Sequence, residues 1–491
     1  MPAASADHQR LVFDSGMVAG VDIAEAIAKQ KVWGSRPVSG RLHVLKQARH
    51  LLAMRVDALC ASMPSSLART HADTMVAEVM PLLESCRFLE RAAEDALRVK
   101  RLGRRGLPFW LSGIDAEIHR APLGRVLIVA PGNYPLFLPG VQVFQALAAG
   151  NAAVWKPGAG GRPVAEIFAA AMQQAGLPDG LLRITEETVQ AAERVISEGV
   201  DKVFFTGSAA TGTTLLRTLA ETRTPCVAEL SGCDAVVVLA TADMARVVKA
   251  LAFGMRLNGS STCMAPRRLM LAGLAAGQRT ALVEELLEAF AKIAGVNLPV
   301  RIAQQLDALL QAAVGVGAQV HGRFSQPQQP LLVTNVRPDM AIAQADIFAP
   351  LLTVLEVRDK AELLAAMDAC PYALTASIFG EEKQARSLAS QITAGTIMVN
   401  DLIVPTADPR VPFGGRKQSG FGVTRGIEGL LEMTAVKVVS VRKGSSTQHF
   451  EATGEVHGAL FMGMIQTSHA ATWTERIRGV RQMIAAARKL R

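Results

Sequence analysis

Five short stretches of the chain end in residues that carry a thiol, a carboxylate, an amide, an amine or a glycine-rich turn. Cys263 lies in Asn-Gly-Ser-Ser-Thr-Cys-Met-Ala-Pro-Arg-Arg, residues 258–268. A thiol with a pKa of about 8.5 is only a few per cent thiolate at neutral pH, so a nucleophilic cysteine needs help from its surroundings. Gly207-Ser208 follow an apolar run and precede a helical pattern. A helix that starts there offers free N–H groups and a positive dipole end, which suits a phosphate. Glu229 sits in Ala-Glu-Leu-Ser-Gly, Asn133 in Pro-Gly-Asn-Tyr-Pro and Lys156 in Trp-Lys-Pro, each at the end of an apolar run. Taken singly, each has a bland reading: a buried inert thiol, a capped turn, a surface carboxylate, a turn asparagine and an exposed edge lysine.

The elements that must hold these residues can be read from the hydrophobic pattern. Residues 1–100 carry helical spacing, for example Leu45-Ala48-Leu52 and Val76-Met80-Leu83. From about residue 125, short apolar runs alternate with helical stretches, at 126–130, 153–156, 181–185, 203–206, 227–230 and 235–239. Such alternation predicts a mostly parallel sheet with helices on both faces. A second α/β region spans about 245–404, with helices near 280–293 and 302–314 and strands near 269–271, 352–356, 375–379 and 396–400. Residues 322–330, rich in Gln and Pro, read as a loop. Two further pieces, 116–120 and 436–441, suggest a separate small sheet. Gly-Ser-Ser-Thr at 444–447 has a linker composition, and one amphipathic basic helix is expected at 474–490.

Composition narrows the classes. The chain has 491 residues, half of them apolar, which is too much for one ordinary core. The formal charge of +9 is modest for this size. The basic run at 98–105 reads as a solvated helix end, and no nucleic-acid partner is expected because no reading motif accompanies it. The six cysteines form no C-x-x-C pair and the nine histidines no H-E-x-x-H, so neither a disulfide framework nor a metal site is expected. Residues 1–14 lack an apolar core flanked by positive charge, so no signal peptide is expected; with the cysteine usage this suggests a cytoplasmic protein. Residues 126–155 are free of charge, as a membrane span would be, but Pro131, Pro135 and Pro139 interrupt them. No transmembrane segment is expected.

Taken together and in order, the motifs resemble the aldehyde dehydrogenase superfamily over about residues 20–443. The matching segments are Pro131-Gly-Asn-Tyr-Pro135, Ala148-Ala-Gly-Asn151, Lys156-Pro157, Phe205-Thr-Gly-Ser208, Glu229-Leu-Ser-Gly232, Cys263-Met-Ala-Pro-Arg-Arg268, Ile347-Phe348-Ala-Pro350 and Pro412-Phe-Gly-Gly-Arg-Lys-Gln-Ser-Gly-Phe-Gly422. The resemblance implies a three-part α/β architecture. A Rossmann-like cofactor domain takes residues 1–106 and 125–230, and a catalytic domain takes 231–433. An oligomerisation sheet takes 107–124 and 434–443, leaving a C-terminal extension at 444–491. It implies NAD(P)-dependent oxidation of an aldehyde to a carboxylic acid through a thiohemiacetal and a thioester on Cys263. Glu229 would activate the hydrolytic water, and Asn133 with the Cys263 N–H would hold the oxyanion. It further implies that Lys156, Gly207, Ser208, Asp346 and Phe348 contact the cofactor, and that the protein is a homodimer or homotetramer.

The departures bear on cofactor and substrate. Asp346 stands where the family usually has Glu, and Ala159 where an acid meets the adenosine ribose; without that acid the bar to NADP is removed, and NAD versus NADP stays open. Ser260, Ser261 and Cys233 also replace usual residues. Phe137, Leu138 and Phe413 are expected to line an apolar substrate tunnel with 401–410 at its entrance, Arg410 being either a surface residue or a carboxylate contact. The alternatives are a CoA-acylating or reductive relative, against which Glu229 weighs, a non-catalytic relative and a membrane protein.

Overall fold

The computed structural model describes residues 23–445 and 447–490; the stretch 1–14 read for a signal peptide lies outside them. Two compact units emerge. Among the described residues, one comprises 23–99 and 119–437, the other 100–118 and 438–490 apart from 446.

The larger unit contains two parallel sheets, and alternation along their strands explains both. In Arg125–Val129 all five residues are buried. Val126 and Ile128 join one apolar cluster while Leu127 and Val129 join another. Successive side chains point to opposite faces, so a strand apolar at every position must be covered on both. Val236 and Val238 against Ala235 and Val237 repeat this division in the second sheet.

The first sheet has the strand order Gly420–Phe421, Cys226–Glu229, Lys202–Thr206, Arg125–Val129, Ala152–Lys156, Leu182–Ile184. Five of these are parallel, and Gly420–Phe421 runs antiparallel, with Gly420 opposite Glu229. The second sheet is ordered Gln319–His321, Leu331–Thr334, Leu351–Val357, Pro266–Ala272, Asp234–Leu239, Thr375–Phe379, Thr396–Val399. Most of the apolar runs mark strands to within a residue or two, but the one at 269–271 extends back to Pro266, the run at 235–239 grouped with the first sheet lies in the second, and the strands at 319–321, 331–334 and 420–421 were not expected; the loop expected at 322–330 does separate two strands.

The uncharged stretch at 126–155 forms strand, helix and strand. Its helix, Phe137–Ala149, is buried throughout and stops at Gly150, whose φ of +95° lets its N–H reach Ala146 and Leu147 carbonyls. Among the described residues no helix is long and apolar enough to cross a membrane.

Ahead of the sheets, helix Met80–Leu97 is preceded by one wide turn, Met75–Val79, that carries Glu78 inward to full burial. The basic run differs from expectation. The helix stops before Arg98, and Lys100–Leu102 is an exposed strand paired with Ile114–Pro122.

The smaller unit carries most of a three-stranded sheet, ordered Lys100–Leu102, Ile114–Pro122, Thr434–Arg442. Its tail holds two helices where one was expected, Glu455–His469 and Trp473–Lys489. They cross at Gly463 and Gly479; a Cβ on Gly463 would lie 2.5 Å from the Met483 nitrogen. Glycine spacing, rather than an apolar stripe, holds this pair, and glycine lowers helix propensity in a sequence reading.

Candidate active site

Cys263 follows a loop that few sequences adopt. Asn258, Gly259 and Ser260 have φ of 51°, 56° and 63°, three left-handed residues in succession. Left-handed non-glycine residues cost on the order of 1–3 kcal/mol each and persist only where surroundings fix them. Here Arg267 does much of the fixing. Its Nη1 donates to Ser260 Oγ at 2.8 Å and to the Ala349 carbonyl at 2.7 Å, and its Nη2 to the Ser260 carbonyl at 2.6 Å. The serines that depart from the family pattern are thus part of the loop's support.

Asn133 and Tyr134 clasp the same loop. Asn133 Nδ2 donates to the Ser261 carbonyl at 2.9 Å, and the Tyr134 hydroxyl lies 3.1 Å from Thr262 Oγ1. Burial pushes the Tyr134 phenol up to about 12, so it stays neutral. An amide has two N–H groups, and this bond commits one of the two on Asn133.

Behind Asn133 stands a pair that the sequence reading missed. Arg69 Nη2 donates to the Asn133 carbonyl at 2.6 Å, its Nε to Asn258 Oδ1 at 2.9 Å and its Nη1 to Glu78 Oε1 at 2.6 Å. The other oxygen of Glu78 accepts the Leu136 and Phe137 N–H groups at 3.2 and 2.6 Å. One buried ion pair therefore fixes the start of the 137–149 helix and both walls of the Cys263 loop.

Glu229 ends its strand against the last stitched piece of chain. The Gly420–Phe421 strand pairs with it, Thr424 Oγ1 donates to Glu229 Oε2 at 3.4 Å, and Oε1 is buried with no partner. Burial raises the Glu229 pKa; Arg425 and the Thr424 hydroxyl pull against that. Such a carboxylate is a better base near neutral pH than an exposed one. Gly232 brings this segment onto the Cys263 loop, since a Cβ there would sit 2.5 Å from the Cys263 carbonyl oxygen. Cys263 itself is half-buried, and its thiol is pushed well up by burial first and then by Glu229 and Asp234.

Other sulfurs do not share this setting. Cys233 is buried with its thiol donating to the Ala343 carbonyl, and burial pushes the Cys226 thiol up to about 12. All six cysteines are free, and no described group of His, Cys, Asp and Glu could hold a metal ion.

The residues expected around a dinucleotide lie at the ends of the two sheets. Ser208 caps helix Ala209–Thr222 through Thr211, and Gly207 donates its N–H to the Glu229 carbonyl at 3.1 Å. Side chains are excluded nearby: a Cβ on Gly158 would lie 2.4 Å from the Pro131 carbonyl carbon, and one on Gly207 2.5 Å from the Phe205 ring. Lys156 is half-buried, and desolvation lowers its pKa against the pull of Glu187. Glu187 receives the Gly160 and Arg162 N–H groups at 2.7 and 2.9 Å. A carboxylate thus lies against the turn that follows Ala159, though it comes 28 positions later and no motif would reveal it. Asp346 Oδ1 is buried without a partner, and Phe348 is half-buried close by in sequence. An orphaned buried oxygen and a side-chain-free cradle fit a dinucleotide with a ribose hydroxyl to donate.

Phe137 and Phe413 meet around one side chain: the Arg425 guanidinium lies 5.5 Å from the first ring centroid and 4.2 Å from the second. The expected apolar wall therefore contains a cation. Leu138, on the 137–149 helix, is buried in the core. Arg410 is exposed and closed on Asp408, at 2.6 Å, which is its surface reading.

With this fold and this convergence of thiol, carboxylate and amide, comparison with known proteins is decisive. The chain belongs to the aldehyde dehydrogenase family, whose model matches residues 17–439. It is similar to the 4,4'-diapolycopene aldehyde oxidase of a Methylomonas species, with 30% identity over 416 residues, covering 82% of this chain and 78% of that one. It is also similar to a succinate-semialdehyde dehydrogenase [NADP(+)] of Deinococcus radiodurans, with 28% identity covering 85% of this chain and 89% of the relative. Among solved structures, the NAD-dependent aldehyde dehydrogenase from Sinorhizobium meliloti superposes with a TM-score of 0.79 at 26% identity, covering 88% of each chain. The protein is an oxidoreductase that oxidises aldehydes with NAD(P).

Proposed function

We propose that Cys263 is the nucleophile, Glu229 the base that hydrolyses the acyl-enzyme and Asn133 the side chain that holds the oxyanion. The bound nicotinamide supplies the hydride acceptor. The Cys263 sulfur, once deprotonated, bonds to the aldehyde carbon. The resulting oxyanion takes the second Asn133 N–H and the Cys263 N–H. After oxidation the carbon remains as a thioester. Glu229 removes a proton from water as its oxygen bonds to the acyl carbon, and the sulfur leaves. The observation that carries this reading is the buried Glu229 Oε1, without a hydrogen-bond partner, on a segment packed against the Cys263 carbonyl.

In this reading Lys156, Gly207, Ser208, Asp346 and Phe348 hold NAD(P), and Phe137, Leu138 and Phe413 favour an apolar or aromatic aldehyde. Residues 23–106 and 125–230 form the cofactor domain and 231–433 the catalytic domain. Val436, Val438 and Val441 are exposed in the small sheet, which supports its pairing between subunits of a homodimer or homotetramer. A cytoplasmic location agrees with six unpaired cysteines.

Glu229→Gln tests the reading because it keeps shape and removes the base. Steady-state turnover falls on the order of a hundredfold or more. A burst of reduced cofactor near one equivalent per site precedes it, with acyl-enzyme on Cys263 in the intact mass. Normal turnover in this variant, or a strict need for CoA in the wild type, would show that water is not the acceptor.

A further inference from the structure

Arg425 is a charged side chain at this site for which the reaction outlined above has no use. It is 4% exposed. Nη1 donates to the Thr406 carbonyl at 2.7 Å, while Nε is buried with no partner. The guanidinium faces the Phe413 and Phe137 rings. It follows Thr424, whose hydroxyl donates to Glu229, so neighbouring residues in the chain flank the base. Its backbone has φ 60° and ψ 172°, a region that is essentially glycine's alone. Glycine would fit here without strain, yet the chain places a buried cation at the strained position.

A cation in a dry pocket costs desolvation unless opposite charge offsets it. Burial does lower the Arg425 pKa, and Glu229, then Cys263 and Tyr134, pull it back up. The charges bearing on Cys263 are Glu229, Asp234 and Asp346, which oppose a thiolate, and Arg425, which favours it. Arg267 also lies within reach, but it is committed to Ser260 and Ala349.

We propose that Arg425 is an electrostatic positioning residue for aldehyde oxidation: anchored on Thr406 and held between Phe137 and Phe413, its guanidinium provides the positive charge beside Cys263 and Glu229. It acts through both, favouring the thiolate that attacks and the carboxylate that later takes a proton from water. The proposal rests on the reading of Cys263 and Glu229 given above.

The test follows the thiol directly. Carbamidomethylation of Cys263 by iodoacetamide is measured from pH 6 to 10 by peptide mass spectrometry, in wild type, Arg425→Lys and Arg425→Gly. The glycine variant relieves the backbone strain, so its fold is retained, checked by cofactor binding and melting temperature. Its alkylation midpoint moves up by about one unit or more, and the rate at pH 7 drops about tenfold, as for loss of a nearby opposite charge. Arg425→Lys keeps the charge and stays close to wild type. Added guanidinium ion restores part of the glycine variant's rate. An unchanged midpoint in a folded Arg425→Gly protein would overturn the proposal, as would a lysine variant no better than glycine. Because alkylation needs no turnover, this result stands apart from whether Cys263 is the catalytic thiol, which Cys263→Ala decides.

Discussion

The two parallel sheets of the larger unit end in loops built to opposite rules. In the first sheet Lys156 and Gly207 are half-buried and Ser208 is exposed; Ser208 caps its helix, and Glu187 accepts two N–H groups of the turn after Lys156. The loop of the second sheet, around Cys263, is locked by Arg267, Asn133, Tyr134 and Arg69. A ligand that enters and leaves each cycle needs accessible contacts of modest strength. A nucleophile that attacks from one geometry needs its surroundings fixed beforehand. Changes in the locked loop should therefore act on rate, and changes in the open loops on cofactor choice.

The sharpest way to break this contrast is Cys263→Ala. It abolishes dehydrogenase turnover and leaves NAD(P) binding intact, measured by reduced-cofactor formation and by fluorescence titration. A tenth of normal turnover remaining would move the nucleophile elsewhere.

Arg69→Met comes next. It leaves Glu78 buried without its cation and releases Asn133 and Asn258, and breaking such a pair costs about 3–5 kcal/mol of stability. A displacement of about 1 Å at the reacting groups can cost about a hundredfold, so kcat falls by that order while KM for the cofactor hardly moves. Stopped-flow and steady-state assays check both. A rise in cofactor KM with kcat unchanged would erase the distinction between the loops.

The smallest effect belongs to the open side. Ala159→Glu weakens NADP about tenfold relative to NAD through repulsion of the 2′-phosphate. Glu187→Gln removes a negative charge from the same turn and shifts preference severalfold toward NADP. Competitive titration of the two cofactors measures each. Equal loss of both in Ala159→Glu would place the adenosine ribose elsewhere.

Legibility in the sequence follows the same contrast. The strands of both sheets were readable because parallel strands buried on two faces are continuous apolar runs. Cys263, Glu229 and Asn133 stood out only as a set with a familiar order, since each alone looks ordinary. Arg69, Glu78 and Glu187 left no mark, and Arg425 almost none. Their partners lie far along the chain, as with Arg69 and Asn258 at a separation of 189 residues, and charged residues are surface residues by default. Arg425 had one weak signal, a bulky residue just before Gly426 in a segment of closely spaced glycines, at Gly420, Gly422, Gly426 and Gly429.

The antiparallel strand at Gly420–Phe421 has a consequence for how the molecule is made. Five parallel strands of the first sheet are on hand once Glu229 has been synthesised, but the strand that covers the Cys226–Glu229 edge comes much later; Thr424 and Glu229 are 195 residues apart. At about 5–20 residues per second, the ribosome needs on the order of ten to forty seconds to bridge that gap. Throughout it the emerging chain presents an unpaired sheet edge, the feature that most readily recruits a foreign strand. The same delay means that the carboxylate of Glu229 receives its Thr424 hydroxyl, and its Arg425 neighbour, only after a further 195 residues have been made.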